Sequence, residues 1–498
     1  MAYWAVDVSE NKPDRITIPE LTSSDLKVAV ATYRSSKDSD SETKDCSTRV
    51  LNYEASPLRS TTGYNLRVLY RVDDERFTVN FQLRYVKNDA SKTEKETFRK
   101  ELLFFGCVMP KVKQFLPYHQ SKVPVPDCFL ARSHDDEALR QSAKSSPCCL
   151  VKGSTDLIII EDLINEGYEP CQPPYDMIHL KLAIKSLAHL HGLSVYLNRR
   201  GNNHNLSIPQ CFPSLVPETF FSKRYNPVFY SQLQMATHIF SAVGPMLNQE
   251  MLVPGKDVVP VVRLLMTGLW EVVEDVMKAS ATQINALCVV DCDAANFLFS
   301  YDDRRVPIAC KISKFRNAKF TRPITDLVSL IYNCSVGGFS SDQYQHLCDV
   351  YHEEFLNTFN KCHVKFHSTL PLPAGLLSMQ ELRQTFAECR LLGAAQRAVL
   401  TSFGCLLNFD DPDAEDHLVH VDTDMPMHHL VWRKLLEDKI NLPSNLVDLR
   451  HVAVKTLQNN PYYRASMFES LSDLLTCLSA RIYCELPKPH KRCPHPNP

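Results

Sequence analysis

The feature that most restricts the fold is a change of period along the chain. From about Tyr64 to Val86 the residues alternate in a run rich in Val, Tyr, Phe and Leu, with a turn at Asp73-Asp74-Glu75. Alternation sets one series of side chains on a single face of a strand, so this stretch predicts an antiparallel hairpin. The spacing then switches. Phe98, Glu101, Leu102 and Phe105 fall at i, i+3, i+4 and i+7, one face of a helix running towards Pro110. Earlier, Thr22, Ser23 and Ser24 open an apolar-periodic segment from Glu20 to Arg34, a helix start. Leu157-Ile158-Ile159-Ile160 is an unbroken apolar strand that runs into Glu161-Asp162-Leu163 and Gly167, a crossing point between domains. Beyond it the pattern is mainly helical. Asp176 to Asn198 sets Leu180, Ile184, Leu187 and His191 on one stripe, and Val258 to Met277 predicts another long helix. Short strand-like runs follow at Ala286 to Val290, Phe297 to Tyr301 and Ile308 to Ile312. The class expected is α+β, with domains at 1–160 and 161–484 and a Pro-rich, basic, disordered tail at 485–498.

Composition narrows the partners. A chain of 498 residues with 44% apolar content has enough material for two or three domains. A net charge of -2 and no long Lys/Arg block argue against nucleic acid as a partner. The start, MAYWAVDVSENKPDR, reaches Asp7 without the apolar run of a signal peptide, and no window approaches the roughly 18 uninterrupted apolar residues of a membrane span. No membrane partner is expected, and the expected location is the cytoplasm. The 18 cysteines are scattered, which fits buried free thiols; no CxxC pair occurs, and Cys148-Cys149 lacks zinc-ribbon spacing. Only 14 glycines are present, and neither GxxxxGK[ST] nor GxGxxG is found, so any phosphate site must be built another way.

The run Val289-Val290-Asp291-Cys292-Asp293-Ala294-Ala295-Asn296-Phe297-Leu298-Phe299 sets Asp291 and Asn296 five residues apart at a strand end. Asp and Asn are also ordinary turn residues, so the spacing alone leaves a structural role open. Other landmarks stand around it in order: LIIIEDL at 157–163, LAHLHGLSV at 187–195 and NNPYYRASMFESLSDL at 459–474. Together they make the chain resemble the ecdysteroid-kinase-like family of small-molecule kinases, related to choline and aminoglycoside kinases, from about Leu21 to Leu478.

The resemblance implies a bilobal protein-kinase-like fold, with an antiparallel-sheet N-lobe and a mainly helical C-lobe. It also implies ATP and Mg²⁺ as cofactors and a hydroxyl-bearing small molecule, such as a steroid alcohol, as substrate. Laid on the family's HGDxxxxN loop, Asp291 takes the place of the catalytic base and Asn296 that of the metal-holding Asn. Arg84 stands where a strand Lys grips the phosphates, with Glu101 as its helix partner, and Glu161 and Leu163 fall in the nucleotide-binding hinge. There are departures. The His and Gly before the base are Val289 and Val290, Ser60-Thr61-Thr62-Gly63-Tyr64 offers a single glycine to a phosphate-covering loop, and Lys314 aligns with the second metal-binding Asp. Two unit charges about 4 Å apart interact by about 4 kcal/mol at an effective dielectric of about 20, so an ammonium facing Mg²⁺ opposes it by about 8 kcal/mol.

Three functions follow as expectations. The first is a pseudokinase with lost or weak phosphoryl transfer, which needs no cofactor and could serve a protein partner. The second is a working kinase with Asp293 as a substitute metal ligand, and the third is a scaffold whose cleft is filled. His191, on an apolar helical face, reads as a satisfied core histidine. The acidic and His-rich stretch Asp410, Asp411, Asp413, Glu415, Asp416, His417, His420, Asp422, Asp424, His428 and His429 reads as a solvated loop, and His490, Cys493 and His495 as tail, because a metal site also needs a rigid second shell.

Overall fold

The computed structural model describes residues 18, 20–37, 48–58, 63–116, 123–143, 150–202, 207–247, 269, 271–335, 339–366, 376–407, 427–436 and 449–485. The chain divides into two compact units, Met1–Pro110 with Pro126–Glu166, and Lys111–Val125 with Gly167–Pro498. As the change of period predicts, the class is α+β, with a largely antiparallel sheet early in the chain and a mainly helical remainder.

The first unit is built on a six-stranded sheet in the order β1-β2-β3-β6-β4-β5. Its strands are β1 (Thr48–Pro57), β2 (Gly63–Val72), β3 (Glu75–Tyr85), β4 (Cys128–Ser133), β5 (Leu150–Lys152) and β6 (Leu157–Glu161). The expected hairpin is β2–β3, in register from Gly63 opposite Arg84 to Val72 opposite Glu75, and Asp73 takes a φ of 52° in its turn. Only the β4–β5 pair is parallel among the described strands. Leu66, Val68, Tyr70, Val79, Phe81 and Leu83 point from β2 and β3 to one face, where Leu26, Ala29 and Val30 of the helix Ser23–Lys37 cover them. That helix begins where the sequence predicts: the Asp25 amide donates to Thr22 Oγ1 and the Thr22 amide donates back to Asp25. The helix Lys92–Leu103 has the same device, Ser91 capping Glu94 and receiving its carboxylate in return. It then passes through a π turn, Phe104–Val108, into Met109–Phe115.

In the second unit β7 (Tyr168–Pro170), β9 (Phe297–Tyr301) and β10 (Pro307–Ile312) form one small sheet, and β8 (Ala286–Cys288) pairs with β11 (Lys319–Thr321) in another. Long helices make the rest: Met177–Asn202, Pro227–Val243, Ile324–Cys334, Ser341–Phe366, Met379–Ser402, Leu449–Asn459 and Pro461–Glu485. Gly192 lets the first of these approach the helix Ser341–Phe366 closely, since a Cβ there would lie 2.9 Å from the Phe355 carbonyl oxygen. Of the helix expected from Val258 to Met277, residues 271–276 are described and helical; 251–268 lie outside the described residues. So do 59–62, 408–426 and the tail from 486.

Among the described residues thirteen cysteines are free thiols. Burial pushes the thiols of Cys288, Cys292, Cys334 and Cys310 well up from the ordinary range. No described helix is long and apolar enough to cross a membrane.

Candidate functional site

The strand expected from Ala286 to Val290 ends at Cys288. The reason lies in the next two residues. The amides of Val289 and Val290 leave the sheet and donate to the two oxygens of Asp326, at 2.6 and 2.9 Å, and Val290 takes a φ of 72°. That left-handed conformation costs a β-branched residue of the order of 1–2 kcal/mol and is where glycine fits without penalty. The position at which the resemblance expects glycine is therefore one that still has glycine's geometry, held in a valine by a buried carboxylate.

Asp326 opens the helix Ile324–Cys334 and is fully buried. Its third partner is His191 Nε2 at 3.2 Å, and the Nδ1 of that ring meets the Tyr351 hydroxyl at 2.9 Å. Since a carboxylate only accepts, Nε2 carries the proton and Nδ1 receives the tyrosine's. His191 is thus a satisfied core histidine, as its apolar stripe suggests, but one that steadies the loop's anchor. The loop is tied further along by Asn333 Nδ2 to the Cys292 carbonyl (3.2 Å) and by the Tyr175 hydroxyl to the Ala294 carbonyl (3.1 Å). His191, Cys288 and Asp326 have ligand atoms within 4.8 Å of one another. They do not make a metal site: both imidazole nitrogens and both carboxylate oxygens are already engaged, and burial together with the Asp326 charge keeps Cys288 a thiol.

Past the anchor, Asp291, Asp293, Asn296 and Lys314 are brought together. Asp291 and Asp293 are half-buried and hydrogen-bonded to each other through their carboxyl groups; Asn317 also bonds Asp291. Burial raises both carboxyls from the ordinary range, Asp293 furthest because the Asp291 charge adds to it, while the Lys314 charge pulls both back. Burial thus favours the neutral form of each carboxyl, and the neighbouring ammonium opposes it. Asp293 also caps the short turn Ala294–Asn296, accepting from the Ala295 amide at 2.8 Å. Asn296 is fully buried; its Nδ2 donates to the Asp291 carbonyl, and its Oδ1 has no hydrogen-bond partner among the described residues.

An unpartnered buried amide oxygen next to two carboxyls is what a hard cation takes as ligand. The rest of the donor set fits Mg²⁺ poorly: burial disfavours the charged form of both carboxyls, and Lys314 sets a positive charge beside them.

In the first unit Arg84, on β3, meets Glu101 on the helix Lys92–Leu103 with Nη1 2.5 Å from Oε1, both side chains almost wholly buried. Its Nε and Nη2 turn to Gln82 Oε1, at 2.9 and 2.5 Å. The expected pair forms, and Gln82, which the sequence did not single out, occupies much of the guanidinium. Glu161 ends β6 and accepts from the Asp127 amide (3.2 Å), and Leu163 is buried just beyond.

Asn317 and Asn333 were not singled out by sequence reasoning. Asp326 shows in the sequence only within Thr325-Asp326-Leu327, which resembles the family's Asp-Leu helix start; its part as the loop's anchor does not show.

Comparison with the curated proteins gives no match. Among solved structures the chain is similar to a choline kinase from Cryptosporidium parvum Iowa II, at 12% identity over 85% of this chain and 99% of that one, with a TM-score of 0.35. The model of the ecdysteroid kinase-like family matches residues 63–364, more than half of the sequence and all of the loop just described. The chain belongs to the ecdysteroid kinase-like family.

Proposed function

We propose that this chain is a pseudokinase of its family: the fold and the loop are kept, while metal-dependent transfer of a phosphoryl group from ATP is lost or severely weakened. The observation that carries it is the Lys314 charge acting on both Asp291 and Asp293. With an ammonium in place of a carboxylate the local charge balance that would attract Mg²⁺ is largely cancelled. Such a protein, placed in the cytoplasm by our reading of its sequence, acts by binding a ligand or a protein partner.

A second reading is supported by Asn296 Oδ1 and by the anchored loop: an ATP-dependent kinase of a small-molecule hydroxyl, a steroid alcohol for instance, with Asp291 as base and Asn296 and Asp293 as metal ligands. Thermal melts with ATP, with and without Mg²⁺, separate the two. The pseudokinase predicts no metal-dependent gain in the wild type and a gain in Lys314→Asp, with nucleotide affinity in Mg²⁺ improved tenfold or more. Tight Mg²⁺-ATP binding by the wild type, together with turnover of a steroid or amino alcohol that Asp291→Asn abolishes, would establish the kinase instead.

A further inference from the structure

Away from the loop, the helices Met379–Ser402 and Met427–Leu436 bring Arg397, His428 and His429 to the C-terminal end of the helix Ile324–Cys334. The Arg397 guanidinium lies 4.8 Å from the centre of the Tyr332 ring, and His429 Nε2 donates to the Ser335 carbonyl at 2.7 Å. The two imidazoles are 4.1 Å apart between centroids and only 4% and 0% exposed, so His428 and His429 belong to a packed helix and not to the solvated loop expected from the sequence. In this packed setting Arg397 Nε and Nη2, His428 Nε2 and His429 Nδ1 have no hydrogen-bond partner among the described residues. Buried polar atoms are nearly always paired, and four orphans in one cluster call for an explanation.

Their chemistry narrows it. The Nε–H and Nη2–H of a guanidinium point the same way and form the side-on fork that takes two oxygens of a carboxylate or phosphate. The fixed positive charge beside the imidazoles opposes a metal cation, and an apolar ligand would leave the donors unmet. A carboxylate would spend both oxygens on the fork; a tetrahedral ion has oxygens left for the two rings. We propose that Arg397, His428 and His429 bind a small tetrahedral oxyanion of the sulfate or phosphate kind.

The rings would respond. Burial and the Arg397 charge hold His429 down to about 4 and push His428 well below the ordinary range, so both are neutral at pH 7. Facing them are Arg397 from one helix, the Tyr332 and Ser335 carbonyls from another, and each other. An arriving anion reverses the balance: it offsets Arg397 and, with the carbonyls, favours the imidazolium forms. Binding takes up protons and tightens as pH falls.

The test is calorimetric titration of the full chain with sodium sulfate, inorganic phosphate and sodium acetate at ionic strength fixed with sodium chloride. Sulfate stays a dianion from pH 8 to 5, so its affinity reports the protein's protons alone. Saturable sulfate binding is expected, about tenfold weaker in Arg397→Lys, which keeps the charge and loses the fork, and about tenfold tighter at pH 5.5 than at pH 7.5. Should Arg397→Lys not fold, the wild type in two buffers of different ionisation enthalpy still decides, with uptake of about one proton per sulfate expected. No saturable sulfate binding, binding without proton uptake, acetate binding as tightly as sulfate, or an Arg397→Lys protein that binds like the wild type would each overturn the proposal.

Discussion

The loop from Val289 to Asn296 has two ends that treat carboxylates in opposite ways. At its root Asp326 is fully buried with three donors aimed at it, two amides and an imidazole, so its charge is matched by hydrogen bonds and the backbone it holds has one geometry. At its tip Asp291 and Asp293 are half-buried, bonded to one another and set beside Lys314, and burial raises both above the ordinary range. The contrast separates two things that usually travel together. The support that shapes a kinase-like loop is complete, whereas the groups it presents carry a charge pattern unsuited to a divalent metal. On the pseudokinase reading proposed above, losing the chemistry does not require losing the scaffold.

The contrast can be broken most forcefully at the root. Asp326→Ala strands two buried amides and an imidazole proton and should lower the unfolding free energy by about 3–5 kcal/mol in urea melts. A loss under 1 kcal/mol would mean that the loop is held by something else. The tip responds with the opposite sign. Because folding lifts the Asp293 carboxyl above its ordinary value of about 3.9, the folded chain binds that proton more tightly than the unfolded chain does. Its contribution is therefore present at low pH and is lost as pH rises from about 4 through the lifted value. Asp293→Asn keeps an acceptor for the Ala295 amide and cannot ionise, so it should be more stable than the wild type at pH 7, by about 1.4 kcal/mol for each unit of lift, with the advantage vanishing below about pH 4. An Asn variant less stable at pH 7 would show that the ionised pair is not penalised.

The smallest effect isolates the strain between the two ends. Val289 and Val290 are equally buried neighbours, so glycine at either forfeits a similar side chain. Only Val290 has a positive φ. Val290→Gly should cost about 1–2 kcal/mol less than Val289→Gly in the same melts. Equal losses would remove the case for strain there.

Much of this was legible in the sequence. The β2–β3 alternation, the Thr22 helix start and the apolar run of β6 are local patterns, and local patterns survive folding. The spacing of Asp291 and Asn296 also shows in the chain, being a statement about neighbours in sequence, whereas Lys314 was picked out only through the family resemblance. What could not be read is whatever depends on distant residues meeting. Nothing local says that the carboxylate which fixes Val289 and Val290 comes from Asp326, 37 and 36 residues further on, or that Gln82 turns back onto Arg84. The expected strand through Val290 failed for the same reason: β-branched residues favour a strand until a buried carboxylate competes for their amides.

The buried thiols give the loop a clock. Cys288 and Cys292 bracket Val289–Asp291, both buried and both held as unreactive thiols by their surroundings. An alkylating reagent reaches them only while β8 and the loop are open, so when reclosing is fast the rate of their modification, followed by mass spectrometry, measures the fraction of time the loop spends apart. A segment that carries no chromophore and binds no probe thereby reports its own opening, residue by residue, in the unmodified protein.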